Sequence, residues 1–293
     1  MYESIFKLSQ TYPLSVICST LKINKSSYLY WVKNEKDNNE EALFYQNIIS
    51  IYAESKGIYG APKITIILQR EYDCYCSVSK VSRAMNILGI KSIVTAKFKK
   101  KSSSLTNEEK KKIVNLVKGL ILSHINQVWT TDITYIKTIN EGTFYLISFI
   151  DLYSKKVISW DLFDNQKADS VVIVLKQAIK TRNPSPGLIC HSDKGSQMRS
   201  NIYRETLSKN NIAFSYTSLN HSCDENAAQE SFHASLKKEV LYQTKLYTYE
   251  DAFREIYNYI EGFYNPIRIH SSIGYLSPND FEKLKCFSKT PSI

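Results

Sequence analysis

Three acids fall where chemistry would need them: Asp132, Asp193 and Glu230. Asp132 lies inside a strand-like run, Val128-Trp-Thr-Thr-Asp-Ile-Thr-Tyr135. A lone acid in mid-strand needs a reason, because burying a charge is costly. Asp193 ends a second such run, Leu188-Ile-Cys-His-Ser-Asp193, and Glu230 sits in a helical stretch, Asn226-Ala-Ala-Gln-Glu-Ser-Phe232. Brought together, they form an oxygen-rich, negative site that calls for cations. Two divalent ions about 4 Å apart can activate an attacking oxygen, stabilise a leaving oxygen and offset phosphate charge. Mg²⁺ prefers oxygen ligands and keeps several waters, so two or three carboxylates suffice. The chain around them carries a net charge of +10, which favours a polyanion and points to the phosphate of a nucleic acid.

Spacing alone leaves Glu230 open. At about 100° per residue, Asn226, Ala234 and Lys237 share its face, while Phe232, Leu236 and Val240 lie opposite. An ordinary exposed glutamate looks the same. Glu225 and Glu239 fall towards the apolar side, and Asp151, Asp161 and Asp164 read as strand-end or turn residues. His191, beside Asp193, is a candidate base or ligand, but a histidine on a buried strand is more often a core residue.

The elements that would position these acids divide the chain into five segments. Residues 1–40 read as a short helical segment: one helix with Leu14, Ile17 and Leu21, a second capped by Ser26 or Ser27, then a polar linker over 33–40. Residues 41–94 read as three helices, with Pro62 opening the second and Ser77 or Ser79 capping the third. A helix-turn-helix and a plain three-helix bundle fit equally well. Residues 95–122 form a basic, Ser-rich linker suited to phosphate. Residues 123–243 alternate strands and helices. Strands are expected over 128–137, 143–152, 156–163, 188–192 and 212–216, with helices over 171–179, 201–210 and 225–241. Asn140-Glu-Gly142 marks a hairpin. A three-strand meander followed by helix–strand alternation is the order of a ribonuclease-H-like α/β layer, although several α/β folds share it. Residues 244–293 form a helical extension. Its aromatic stripe over 249–264 reads as core packing before base stacking.

Composition narrows the class. A hydrophobic content of 43%, with 9 glycines and 7 prolines in 293 residues, describes an ordered chain of about two domains. The 6 cysteines are scattered without a CxxC pair, which argues against a zinc site or a disulfide framework and for reduced thiols in the cytoplasm. No signal peptide is visible, and the longest apolar runs are too short for a bilayer.

The motifs then resemble the second-frame transposase of the insertion-sequence-three family, within the wider group of DDE transposases and retroviral integrases. Trp129-Thr-Thr-Asp132-Ile-Thr-Tyr135, Phe149-Ile-Asp-Leu-Tyr-Ser154, His191-Ser-Asp193-Lys-Gly-Ser-Gln197 and Glu225-Asn-Ala-Ala-Gln-Glu230-Ser-Phe232 look like its acid-bearing motifs. Arg268, His270 and Gly274-Tyr-Leu-Ser-Pro278 look like its C-terminal signature, and Ile58-Tyr-Gly60 like its helix-turn-helix segment. The resemblance implies an α/β, ribonuclease-H-like integrase core with an all-α helix-turn-helix N-terminal region and a helical C-terminal extension. It implies that Asp132, Asp193 and Glu230 bind two Mg²⁺ or Mn²⁺ ions, cut at the transposon end and transfer the 3′-hydroxyl to target DNA. Lys194, Asn226, Lys237, Arg268 and His270 would hold DNA. The implied partners are terminal-repeat and target DNA, further copies of the chain on DNA, and an upstream-frame helix-turn-helix protein. The implied location is the bacterial nucleoid. A metal-dependent nuclease of the same fold, or a non-catalytic DNA-binding regulator, are the alternatives. The chain departs from the pattern at several points. There are 36 residues between Asp193 and Glu230, one more than the family usually has, which suggests an insertion near residues 219–221. Glu225 stands where aspartate is commoner, Met198 replaces an aromatic, and His233 follows Phe232 where a second aromatic is common.

Overall fold

The computed structural model describes residues 1–94, 115–217 and 227–287, without the side chains of 34–38 and 287. The chain divides into two compact units, Met1–Ile93 and Val94–Ile293.

The first unit is all-helical: α1 (Tyr2–Leu8), α2 (Leu14–Thr20), α3 (Lys25–Glu54), α4 (Ala61–Glu71) and α5 (Val78–Ile87). Ile5, Ile17 and Tyr28 bury one small cluster with Tyr2, Leu14 and Trp31 against it. Helix α3 corrects two expectations. Its cap is Asn24, whose Oδ1 accepts the Ser26 N–H at 2.8 Å, not Ser26 or Ser27. It also runs unbroken through the expected linker at 33–40, because that run is polar but holds no proline or glycine, and its Lys and Glu residues favour helix. Gly57, at φ +76°, ends the helix's exit turn in a conformation that costs glycine nothing. Pro62 sits in the first turn of α4, and Ser77 caps α5 by accepting the Lys80 N–H at 3.2 Å. Ile48, Ile51, Ile64, Leu68, Val81 and Met85 are buried.

The second unit is built on a five-stranded sheet: β1 (Val128–Lys137), β2 (Thr143–Asp151), β3 (Val157–Phe163), β4 (Ile189–Ser192) and β5 (Ala213–Tyr216). The order is β3-β2-β1-β4-β5. The first three strands are an antiparallel meander, and β4 and β5 join β1 in parallel. Parallel strands need crossovers, which α6 (Ala168–Arg182) and α7 (Asn201–Lys209) supply. These helices cover one sheet face, burying Trp129, Ile147, Phe149, Val171, Leu175 and Leu207. Met198 fills the same core at 1% exposure, so the aromatic expected there is replaced by another apolar filler.

The other face receives α8 (Ala227–Leu236) and α9 (Tyr249–Tyr259), and α10 (Pro278–Phe287) closes the chain. Most of the α9 stripe is packing: Tyr249 meets Phe144 and Phe253 meets Trp160. Both helices expected to run on through 241 and 264 instead widen into π turns, Lys237–Leu241 and Ile260–Tyr264. The extension is anchored by buried polar groups. The Asn265 amide bonds both backbone groups of Val157, and Arg182 meets Glu282 at 2.6 and 2.9 Å. Asp151 is fully buried at the end of β2, where its carboxylate accepts the N–H groups of Asn126, Tyr153 and Ser154. Among the described residues, no helix is long and apolar enough to cross a membrane.

Candidate active site

The sheet opens a crevice where β1 leaves β4. Residues 128–131 of β1 pair with β4, but from Asp132 onward β1 has its partner only in β2. Asp132 is therefore the first residue past the fork, and Asp193 follows directly on the C-terminal end of β4. A crevice at the carboxyl ends of parallel strands, beside a change in strand order, is where α/β sheets place ligands.

Asp132 is the least comfortable of the three acids. Its Oδ1 accepts the N–H of Ile133 at 2.8 Å, and its Oδ2 lies 3.5 Å from Nδ1 of His233. Burial pushes its carboxyl up to about 7, and the charges of Asp193 and Glu230 push the same way against the Ile133 N–H and Lys237. Asp132 feels the charge of both other acids, although they come from distant parts of the chain. Asp193 is exposed, and its Oδ1 accepts the Gly195 N–H at 3.0 Å. A Cβ on Gly195 would stand 3.1 Å from that same oxygen and 3.1 Å from Oε1 of Gln197. A side chain here would have to push one of these two groups aside by a few tenths of an ångström.

Glu230 is exposed in the first turn of α8, and its neighbour fixes it. Gln229 is fully buried. Its Nε2 donates to the carbonyls of Thr130 (2.8 Å) and Ser148 (3.1 Å), and its Oε1 accepts the Ser148 hydroxyl at 3.0 Å. Ser148 is the cross-strand partner of Asp132, so this amide locks α8 to the sheet beside the first acid. One turn on, burial first and Lys237 second push His233 down to about 3, so the ring is neutral and can offer Asp132 a single N–H. Both contacts were missed in the sequence. The apolar periodicity of α8 carries no sign of a buried amide, and His233 showed only as a departure from the family pattern.

The expected DNA-contacting residues separate. Lys237 stands at the mouth. Burial lowers its ammonium while Asp132 raises it, and Nζ lies 4.6 Å above the Tyr135 ring. Lys194 is half-buried beside Asp193. Arg268 is otherwise engaged: it donates to both oxygens of Glu239 (2.7–3.2 Å) and to Ser235 Oγ (3.1 Å). A largely buried guanidinium held by protein acceptors acts as a structural brace. His270 packs edge-on to Tyr264 at 4.9 Å and belongs to the same brace. Asn226, with Glu225 and the extra residue expected near 219–221, lies outside the described residues. His191 is fully buried, with Nδ1 2.9 Å from Ser215 Oγ, which places it in the core.

Among the described residues, no group of three or more His, Cys, Asp and Glu side chains is arranged to hold a metal ion as it stands. The donor chemistry still suits hard divalent cations. The donors are carboxylate oxygens, and Asp132 sits beside two like charges that a cation would relieve.

Comparison with known proteins agrees with this architecture. An integrase core domain matches residues 123–222, a second integrase core model matches 210–278, and an HTH-like domain matches 38–98. The transposase for insertion sequence element IS904 of Lactococcus lactis is 33% identical over 85% of this chain and 96% of its own length. Transposase InsF for insertion sequence IS3A of Escherichia coli is 30% identical over 96% of this chain and 98% of its own. The catalytic core domain of BIV integrase covers 56% of this chain and 98% of its own at 18% identity and a TM-score of 0.43, too distant to carry an inference. With near-complete coverage at this identity to both transposases, the chain belongs to the IS3-family insertion-sequence transposases.

Proposed function

We propose that Asp132, Asp193 and Glu230 are the catalytic carboxylates of this transposase, cutting DNA at the transposon end and joining the freed 3′-hydroxyl to target DNA. Membership of the family makes the chain a DDE-type polynucleotidyl transferase that acts in DNA transposition. The residue assignment rests on one observation above the others: Asp132 is the first residue past the fork of β1 and β4, and Asp193 follows directly on the end of β4. Burial raises the Asp132 carboxyl, and Asp193 and Glu230 raise it further, which a cation would relieve.

Two Mg²⁺ or Mn²⁺ ions, held by the three carboxylates, would supply activation of the attacking oxygen and stabilisation of the leaving oxygen. The chain's own part is positional. The fork of β1 and β4 sets Asp132 and Asp193 at one crevice, and Gln229 sets the register of α8 so that Glu230 faces it. Neutral His233 steadies one oxygen of Asp132 without competing for the site as a base. Lys237, beside Asp132, is the side chain best placed to meet a DNA phosphate.

In the first unit, α4 and α5 with the connection over 72–77 serve as the helix-turn-helix, and α5 is the element for a major groove. The division into 1–40, 41–94, 95–122, 123–243 and 244–293 is a working map of these roles, although α3 crosses its first boundary. Assembly of several copies on terminal-repeat and target DNA completes the reading, with the upstream-frame protein as a further partner.

The test is a strand-transfer assay with labelled terminal-repeat DNA and Mg²⁺ or Mn²⁺. Joined products are expected. Cleavage without joining would leave a nuclease, and binding without either would leave a regulator.

A further inference from the structure

Beside the acids, a cavity of about 320 Å³ opens between the overhanging half of β1 and the segment that follows α8. Tyr135, Lys137, Lys237, Tyr242 and Lys245 give it its character, and among the described residues no acidic side chain lines it. Its walls are fixed to each other by backbone: Ile139 N–H donates to the Leu246 carbonyl at 2.9 Å and Asn140 N–H to that of Tyr247 at 3.0 Å. Tyr135 and Tyr242 are 58% and 57% exposed, unusual for large rings on a rigid wall. Lys137 and Lys245 are exposed, and neither pairs with a carboxylate among the described residues. Lys237 joins the two places, since its ammonium caps the Tyr135 ring and also acts on Asp132.

Interleaved rings and ammonium groups suit one kind of ligand. Ammonium groups attract backbone phosphates of any nucleic acid. Exposed tyrosine rings gain only from bases that are not already stacked in a duplex. The cavity lies at the small end of ligand-pocket volumes, which suits a short stretch of one strand and not a double helix.

Resting on the reading that the carboxylates cut and join DNA, we propose that this groove holds unpaired nucleotides next to the reacting phosphate. Lys137 and Lys245 take the phosphates, Tyr242 stacks a base, and the Tyr135 ring carries the Lys237 ammonium at the wall between groove and acids. The transposon end is therefore frayed in the reacting complex, and the groove keeps the separated strand off the carboxylates.

The test measures binding of the full chain, without divalent ions, to a labelled single-stranded oligothymidylate and to a duplex of equal length. Lys137→Gln with Lys245→Gln is expected to weaken the single strand about tenfold at low salt. The same pair should reduce its log–log salt slope by roughly 1.4, from about 0.7 per lost phosphate contact. Tyr242→Ala should weaken the single strand by about fivefold or more, the lower end of a base–ring stack. It should also restore the fluorescence of a 2-aminopurine that the wild-type ring quenches. Duplex affinity should change by less than about twofold, and Lys137→Arg with Lys245→Arg should restore single-strand binding. Equal losses on both probes would reduce the groove to a general phosphate surface and overturn the proposal. No loss on either probe, or a wild-type chain that ignores the single strand, would also overturn it. Joining by the wild type and its loss in Glu230→Gln are read separately, so the groove can fail while the catalytic assignment stands.

Discussion

Lys237 and Glu239 lie two residues apart in one π turn, yet they belong to acid–base pairs of opposite character. Glu239 is 6% exposed, with both oxygens bonded by Arg268 and a further bond from the Tyr259 hydroxyl at 2.7 Å. That pair is complete and braces α8 against the C-terminal extension. Asp132 has one backbone N–H, a long contact to a neutral histidine, and a lysine that does not cancel two nearby acids. Charge is neutralised where the fold needs rigidity and left uncompensated where the reaction needs a cation. In this region, full satisfaction marks architecture and incomplete satisfaction marks chemistry.

The sharpest way to break this contrast is to remove the acids. Asp132→Asn or Glu230→Gln should lower strand transfer at least about a thousandfold, the equivalent of several kcal/mol of transition-state stabilisation. Neither should unfold the protein. For Asp132 the sign is specific. Its folded carboxyl titrates near 7 against an ordinary 3.8, so the folded state keeps a proton that the unfolded chain has lost. Without metal, stability should therefore fall as pH rises from 3.8 towards 7 and level off above it. The drop is at most a few kcal/mol, less for the partial exposure of the group. Urea melts across that range, with a chelator present, should show the slope in the wild type and lose it in Asp132→Asn. A flat wild-type profile would remove the basis for calling the site uncompensated.

Arg268→Ala tests the completed pair and should cost about 3–5 kcal/mol, because it leaves Glu239 buried without its cation. Lys237→Ala, two residues before Glu239, should change stability by less than about 1 kcal/mol while lowering DNA joining. If the two variants behaved alike in melts and in joining, the division of roles would be wrong. Gln229→Leu should cost roughly 1–3 kcal/mol by orphaning the Ser148 and Thr130 groups. It should also slow joining about tenfold or more in the folded fraction, since Glu230 loses its register. Gly195→Ala is the mildest change. A Cβ at 3.1 Å must push Asp193 or Gln197 by a few tenths of an ångström. A severalfold loss in joining with little change in melting temperature is expected, read from single-turnover rates and thermal melts.

The sequence by itself determined a good deal. Strand alternation, the Asn140-Glu-Gly142 hairpin and helical periodicity placed every strand of the sheet to within a residue or so, because these signals are local. The acid-bearing motifs picked out Asp132, Asp193 and Glu230, although periodicity could not separate Glu230 from an ordinary surface glutamate. Tertiary structure decided what depends on contacts between distant segments. Polarity over 33–40 looked like a linker, but polar helix formers without a breaker continue a helix. The fold sets Arg268 against Glu239, 29 positions away in the chain, a pairing that no local signal announces. The buried amide of Gln229 bonds carbonyls on two strands, and only the packed structure brings those strands under α8. Residue type and spacing announce which groups can do chemistry. Whether a charge is neutralised depends on partners that only folding supplies, and here that decided which charges brace the protein and which remain at the mouth of the site.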